Sequence, residues 1–130
     1  MKNLLFVFIS VLIFSCSSNS DDSPSSSNLF NPPTWIHGSW SNPIGGYKFT
    51  TNNVCQINSV SELCFKRMIE DYNSALPNSS TVNEEIISDS EYKFSYTVQS
   101  TTQYFHFVKT SNTEIEMLDT QGQGSILTKQ

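Results

Sequence analysis

At 130 residues with a net charge of -5, the chain is long enough for one hydrophobic core and too short for two. Charged side chains make up only 15% and aromatics 12%. Nucleic-acid binding is excluded, because phosphates demand clustered Lys and Arg and only Lys66 and Arg67 are adjacent here. The same scatter excludes a polybasic membrane patch.

Residues 1–15 read as a signal peptide. Met1-Lys2-Asn3 is a short positive start, and the apolar run Leu4 to Phe14 is broken only by Ser10. A helix needs roughly 20 apolar residues to cross a bilayer, so this run has the length of a cleavable signal core. "IFSC" sets Ile13, Ser15 and Cys16 at the positions around the cut where a bacterial lipobox has an aliphatic residue, a small one and cysteine, which it resembles. That chemistry needs Cys16, whose thiolate accepts the lipid. Two or three acyl chains, at about 0.8 kcal/mol per buried CH2, hold a protein to a membrane where one does not. The alternative is an unlipidated secretory signal with a coincidental cysteine. Asp21 and Asp22, just after the first serines, resemble the acidic export signal of surface lipoproteins of the Bacteroidota. The resemblance implies a lipid-anchored protein of the outer membrane, at the cell surface rather than on the periplasmic face. The alternative for the two acids is solvated linker charge.

Residues 16–31 form the tether. From Ser17 to Ser27 there are seven serines and no aliphatic or aromatic side chain, a composition that cannot offset its ordering entropy. The folded domain is expected over 32–130, starting at "PPTWIHGSW", where prolines stiffen the chain and large aromatics gather.

Within the domain, "GSW", "GYKFT" and "NVCQI" read as three short strands. A helix is expected at about 59–76, with Ser59 and Glu62 as a capping box. Phe65, Met68, Ile69, Tyr72 and Leu76 form its apolar stripe, and Pro77 is the stop. "TVNEEIIS" is a further strand. In "EYKFSYTV", Tyr92, Phe94, Tyr96 and Val98 share one face; in "TQYFHFVK", Tyr104, His106 and Val108 oppose Phe105, Phe107 and Lys109. "NTEIEML" and "GSILTKQ" are the last two strands, split by a turn at Gly122 and Gly124. The fold class is mainly β: an antiparallel meander forming a small barrel or a strongly bent sheet, with one internal helix.

"WIHGSW", with Gly38 and Trp40, is similar to the G-x-W of the lipocalin first strand. In lipocalins that tryptophan packs against an arginine from near the barrel's end; here Lys129 is the only cation near the C-terminus. Over nearly the whole chain, the lipobox, serine tether, "WIHGSW", "YKFT", cysteine-bearing strand and aromatic meander resemble the small lipocalin-like lipoproteins of the Bacteroidota. The likeness implies fold and location more than activity.

With Cys16 lipidated, Cys55 and Cys64 remain as a pair in an oxidising compartment, expected to form a disulfide pinning the helix to the sheet. Two free buried thiols are the alternative. His37 and His106 are the only histidines, and no spacing offers a metal set, so neither metal nor cofactor is expected. Glu84 and Glu85 alternate across a strand and cannot act as one acid/base couple. No nucleophile elbow or phosphate loop is present, and catalysis would require His37 or His106 to share a cleft with Asp119 or Glu85. The expectation is therefore a binding module, not an enzyme, taking a small apolar ligand or an outer-membrane protein partner. Trp40, Tyr96, Tyr104 and His106 are the candidate ligand contacts. The alternatives are that the aromatics simply fill the core, and that the protein is a structural or accessory lipoprotein without a ligand cavity.

Overall fold

The computed structural model describes residues 28–130. Cys16, Asp21 and Asp22 lie outside the described residues. Nine antiparallel strands form one sheet in the order β4-β3-β2-β1-β9-β8-β7-β6-β5. They are β1 (Gly38–Asn42), β2 (Gly45–Phe49), β3 (Val54–Ile57), β4 (Glu62–Cys64), β5 (Ser80–Ile87), β6 (Glu91–Val98), β7 (Thr101–Lys109), β8 (Glu114–Leu118) and β9 (Gly124–Lys129). First and last strands pair, Trp40 opposite Lys129, so the sheet curls into a half-barrel with its opening between the terminal strands β4 and β5. The single helix α1 (Phe65–Ala75) contacts β3, β4 and β5 across that opening. The result is a lipocalin-like, strongly bent sheet with one helix.

Period two along each strand sends one row of side chains inward. Phe94 faces Phe105 in register, their rings stacked at 4.8 Å. Phe49 and Tyr47 from β2 meet Phe107 edge-on at 5.0 and 5.1 Å. Such pairs contribute about 0.5–1.5 kcal/mol beyond their burial. Core is thus the reading that holds for Trp40, Tyr47, Phe49, Phe94, Phe105 and Phe107, all buried.

The helix begins at Phe65, not at residue 59, and the expected capping box does not form. Asn58 Oδ1 instead accepts the N–H groups of Val60 and Ser61, closing a hairpin turn, and Glu62 to Cys64 then pair with β3. Glu62 reaches Lys48 at 3.3 Å instead of the chain behind it. Of the expected apolar stripe, Phe65 and Ile69 are buried, while Tyr72 and Leu76 are exposed. Cys55 and Cys64 are disulfide-bonded and sit directly opposite each other. The bond therefore joins β3 to β4, and pins the helix only through Cys64, the residue before it.

The packed chain begins earlier than residue 32: Phe30, assigned by composition to the tether, is fully buried and meets Phe94 edge-on at 5.3 Å. Beside it Asn31 donates twice to Glu84, from its backbone N–H to Oε1 at 2.6 Å and from Nδ2 to Oε2 at 2.9 Å. Tyr92 donates its hydroxyl to the same Oε1 at 2.6 Å. Glu85 points the other way, to Lys93 at 2.6 Å, with a bulge between Glu84 and Ile86.

Strand directions sort the connections between two ends. The β1–β2, β3–β4, β6–β7 and β8–β9 turns share one end, the mouth; the β2–β3, β5–β6 and β7–β8 turns share the base with the incoming residues 28–37. Asn42, Asn58 and Asp119 close three of the mouth turns by accepting backbone N–H groups on their side-chain oxygens.

Candidate functional site

The four residues expected at a ligand site divide between the two faces of the sheet. Trp40 is buried, and its Nε1–H donates to Ile36 O at 2.6 Å. Tyr96 points inward, meeting Phe65 at 4.9 Å and stacking on Phe105 at 5.7 Å; burial pushes its hydroxyl pKa up. Both serve the core. Tyr104 and His106 occupy the opposite parity of β7 and point outward, because Phe105 and Phe107 take the inner row.

Outside, Tyr104 and His106 line a groove of about 470 Å3 with Lys93 of β6, Leu118 at the end of β8, and Asp119 and Thr120 of the β8–β9 turn. Register accounts for the assembly: Lys93, His106 and Leu118 are consecutive partners across three strands. Each polar member is oriented by a neighbour. Lys93 Nζ pairs with Glu85, His106 Nε2–H donates to Glu91 Oε2 at 3.1 Å, and Asp119 Oδ1 accepts from Gln121 N and Gln123 N, each at 2.8 Å. Tyr104 is 55% exposed. The groove thus offers an aromatic side chain and an aliphatic one, with a cation, an imidazole and a carboxylate around them. Its volume falls within the range of ligand sites, about 300–1,000 Å3.

His106 and Asp119 therefore do share a cleft. Among the described residues, however, no hydroxyl or thiol is hydrogen-bonded to either side chain, so the nucleophile-and-base pairing of covalent catalysis is not assembled. His37 is at the base, where Nε2–H donates to Pro32 O at 2.9 Å. The described residues hold one cluster of three metal-ligand types, Cys55, Glu62 and Cys64, and its two sulfurs are bonded to each other.

Lys93, Leu118 and Thr120 were not anticipated. The alternation of β6 marks Lys93 as outward, but its meeting with Leu118 depends on the β7–β8 register, which the four-residue connection Thr110-Ser111-Asn112-Thr113 does not announce. Among the described residues, no helix is long and apolar enough to cross a membrane. No family model, curated protein or solved structure matches the chain.

Proposed function

We propose that this chain is a lipid-anchored lipoprotein of the outer membrane, displayed at the cell surface, whose β-domain is a binding module. Its site is the Tyr104–His106 groove, and its ligand is a partner protein in preference to a small apolar molecule. One observation carries the choice. The interior of the half-barrel is packed with rings and leaves only about 220 Å3 at its mouth between Tyr47, Met117 and Leu127, whereas the 470 Å3 groove is outside and mixes apolar with charged groups. An apolar small molecule favours an enclosed apolar cavity.

The lipobox at Ile13 to Cys16 and the acids Asp21 and Asp22 support the location. Replacing Cys16 by Ser should abolish lipid labelling and release the protein from membranes; unchanged fractionation overturns the anchor. Replacing Asp21 and Asp22 by Ala should reduce protease shaving of whole cells. Affinity capture from native membranes with the wild type and Tyr104→Ala tests the module, which predicts a partner lost with Tyr104.

The accessory reading has its own support: Ile44 and Val60, at the tips of two mouth hairpins, are 90% and 89% exposed. An accessory subunit docked by these tips would lose its complex in Ile44→Ser/Val60→Ser and keep it in Tyr104→Ala.

A further inference from the structure

The groove lies where the sheet is incomplete. All of β7 from Thr101 to Val108 pairs with β6, but β8 pairs only with His106 to Lys109 and ends at Leu118. Thr101 to Phe105 therefore have a strand on one side and a notch on the other. At about 3.4 Å per residue the notch is roughly 17 Å long.

The backbone groups that face the notch are known from the hydrogen bonds farther along the strand. Lys109 N donates toward β6, to Ser90 O at 2.8 Å, and Thr110 N donates across the β7–β8 turn, to Glu114 O at 3.2 Å. Odd residues of β7 thus face β6 and even residues face β8. Thr102 and Tyr104 accordingly turn two N–H and two C=O groups into the notch, spaced by the two-residue repeat of an extended chain. No partner for these groups is present among the described residues.

The sheet's outermost edges are treated differently. At the start of the β5 edge, Asn73 of the helix bonds both backbone groups of Ser80, at 2.8 and 2.9 Å. β4 is only three residues long. Short strands and covered backbone are how sheets avoid unwanted pairing, and Thr102 and Tyr104 have neither protection.

We infer that this notch accepts an extended segment of a partner protein as an added strand beside Thr101–Phe105, completing the row that β8 leaves short. The inference rests on the binding-module reading and names the partner's form. Alternation decides its chemistry: side chains entering beside Phe105 are apolar, and those on the outer face lie beside Tyr104 and Leu118. A strand already built into a second folded copy is disfavoured, because Asp119, Thr120 and Gly122 wall the notch opposite β7. The chain's own residues 17–27 are disfavoured too. The described chain enters at the base, whereas the notch is at the mouth end.

The test uses the full-length protein in mild detergent and a displayed library of random linear seven-residue peptides. Wild type should enrich peptides with alternating apolar residues. Thr102→Pro and Tyr104→Pro each delete an N–H that faces the notch while leaving the β6 ladder intact, so both should lower binding at least tenfold with unchanged circular dichroism. Thr102→Val, which keeps the backbone, should bind within twofold of wild type. Peptides that bind Thr102→Pro normally but lose Tyr104→Ala overturn strand addition and leave the groove reading standing. Peptides indifferent to both variants, or no enrichment at all, overturn the two together. Concentration-dependent dimerisation abolished by Thr102→Pro would assign the notch to a second copy and overturn the inference.

Discussion

Lys129 Nζ stands 5.0 Å from the centre of the Trp40 ring, a cation over an aromatic face. The two residues are direct partners across the pairing of β1 with β9, so the contact sits at the junction of the chain's first and last strands. Gly38, the other half of the motif, has φ +115°, a conformation that a side chain resists. A Cβ there would also lie 3.3 Å from Lys129 Cε.

Replacing Lys129, an exposed residue, by Met should therefore destabilise the domain by about 0.5–1 kcal/mol, the range of an exposed cation–π contact, and Lys129→Arg should restore most of it. Chemical denaturation of the pair measures this. Equal midpoints for wild type and Lys129→Met would show that the cation contributes nothing.

Glu84→Ala should cost more than an ordinary surface substitution. It leaves the hydroxyl of buried Tyr92 and both donors of Asn31 without their acceptor, and an orphaned buried polar group costs about 1–3 kcal/mol. Hydrogen exchange should rise first at residues 29–31, before any strand loosens.

Removing the disulfide with Cys55→Ala/Cys64→Ala should destabilise by about 2–3 kcal/mol on the loop-entropy account. The loss should be local, since the bond holds the three-residue β4 and the residue that starts the helix. Exchange should accelerate in β4 and at Phe65 while β6 and β7 stay protected.

Alkali should unfold the protein cooperatively. Burial raises the pKa of the Tyr92 hydroxyl, reinforced by its hydrogen bond to Glu84 and that carboxylate's charge; burial also raises Tyr47, with Tyr96 adding to it. Above about pH 10 the unfolded chain releases protons that the native state keeps, so stability is intact below that pH and falls above it. Tyrosinate absorbance should step upward together with the loss of near-ultraviolet dichroism. A smooth rise in absorbance with the fold retained would contradict this.

The later strands were legible because their alternation is local. "EYKFSYTV" forms β6 with Tyr92 and Phe94 inward, as period two requires. The helix start was not, because Ser59 and Glu62 satisfy a capping box as well as they satisfy a hairpin. Pairing of Glu62 to Cys64 with a strand already in place decided between them. Along β7 the sequence separated Tyr104 and His106 from Phe105 and Phe107 but not inside from outside, since both faces carry rings. The rings of β2 made that choice. Phe30 is a lone aromatic next to a serine run, and only tertiary packing shows it to be core.

The Asn31–Glu84 fastening also defines a load path. Tension on the N-terminal chain arrives at Phe30 and Asn31 and passes through one carboxylate to Tyr92, in the middle of the core. The strands' ladders are not first in line. A domain pulled from that side would give up the contacts of Phe30 and Asn31 at the base before its sheet, leaving Tyr104 and His106 at the mouth end in place.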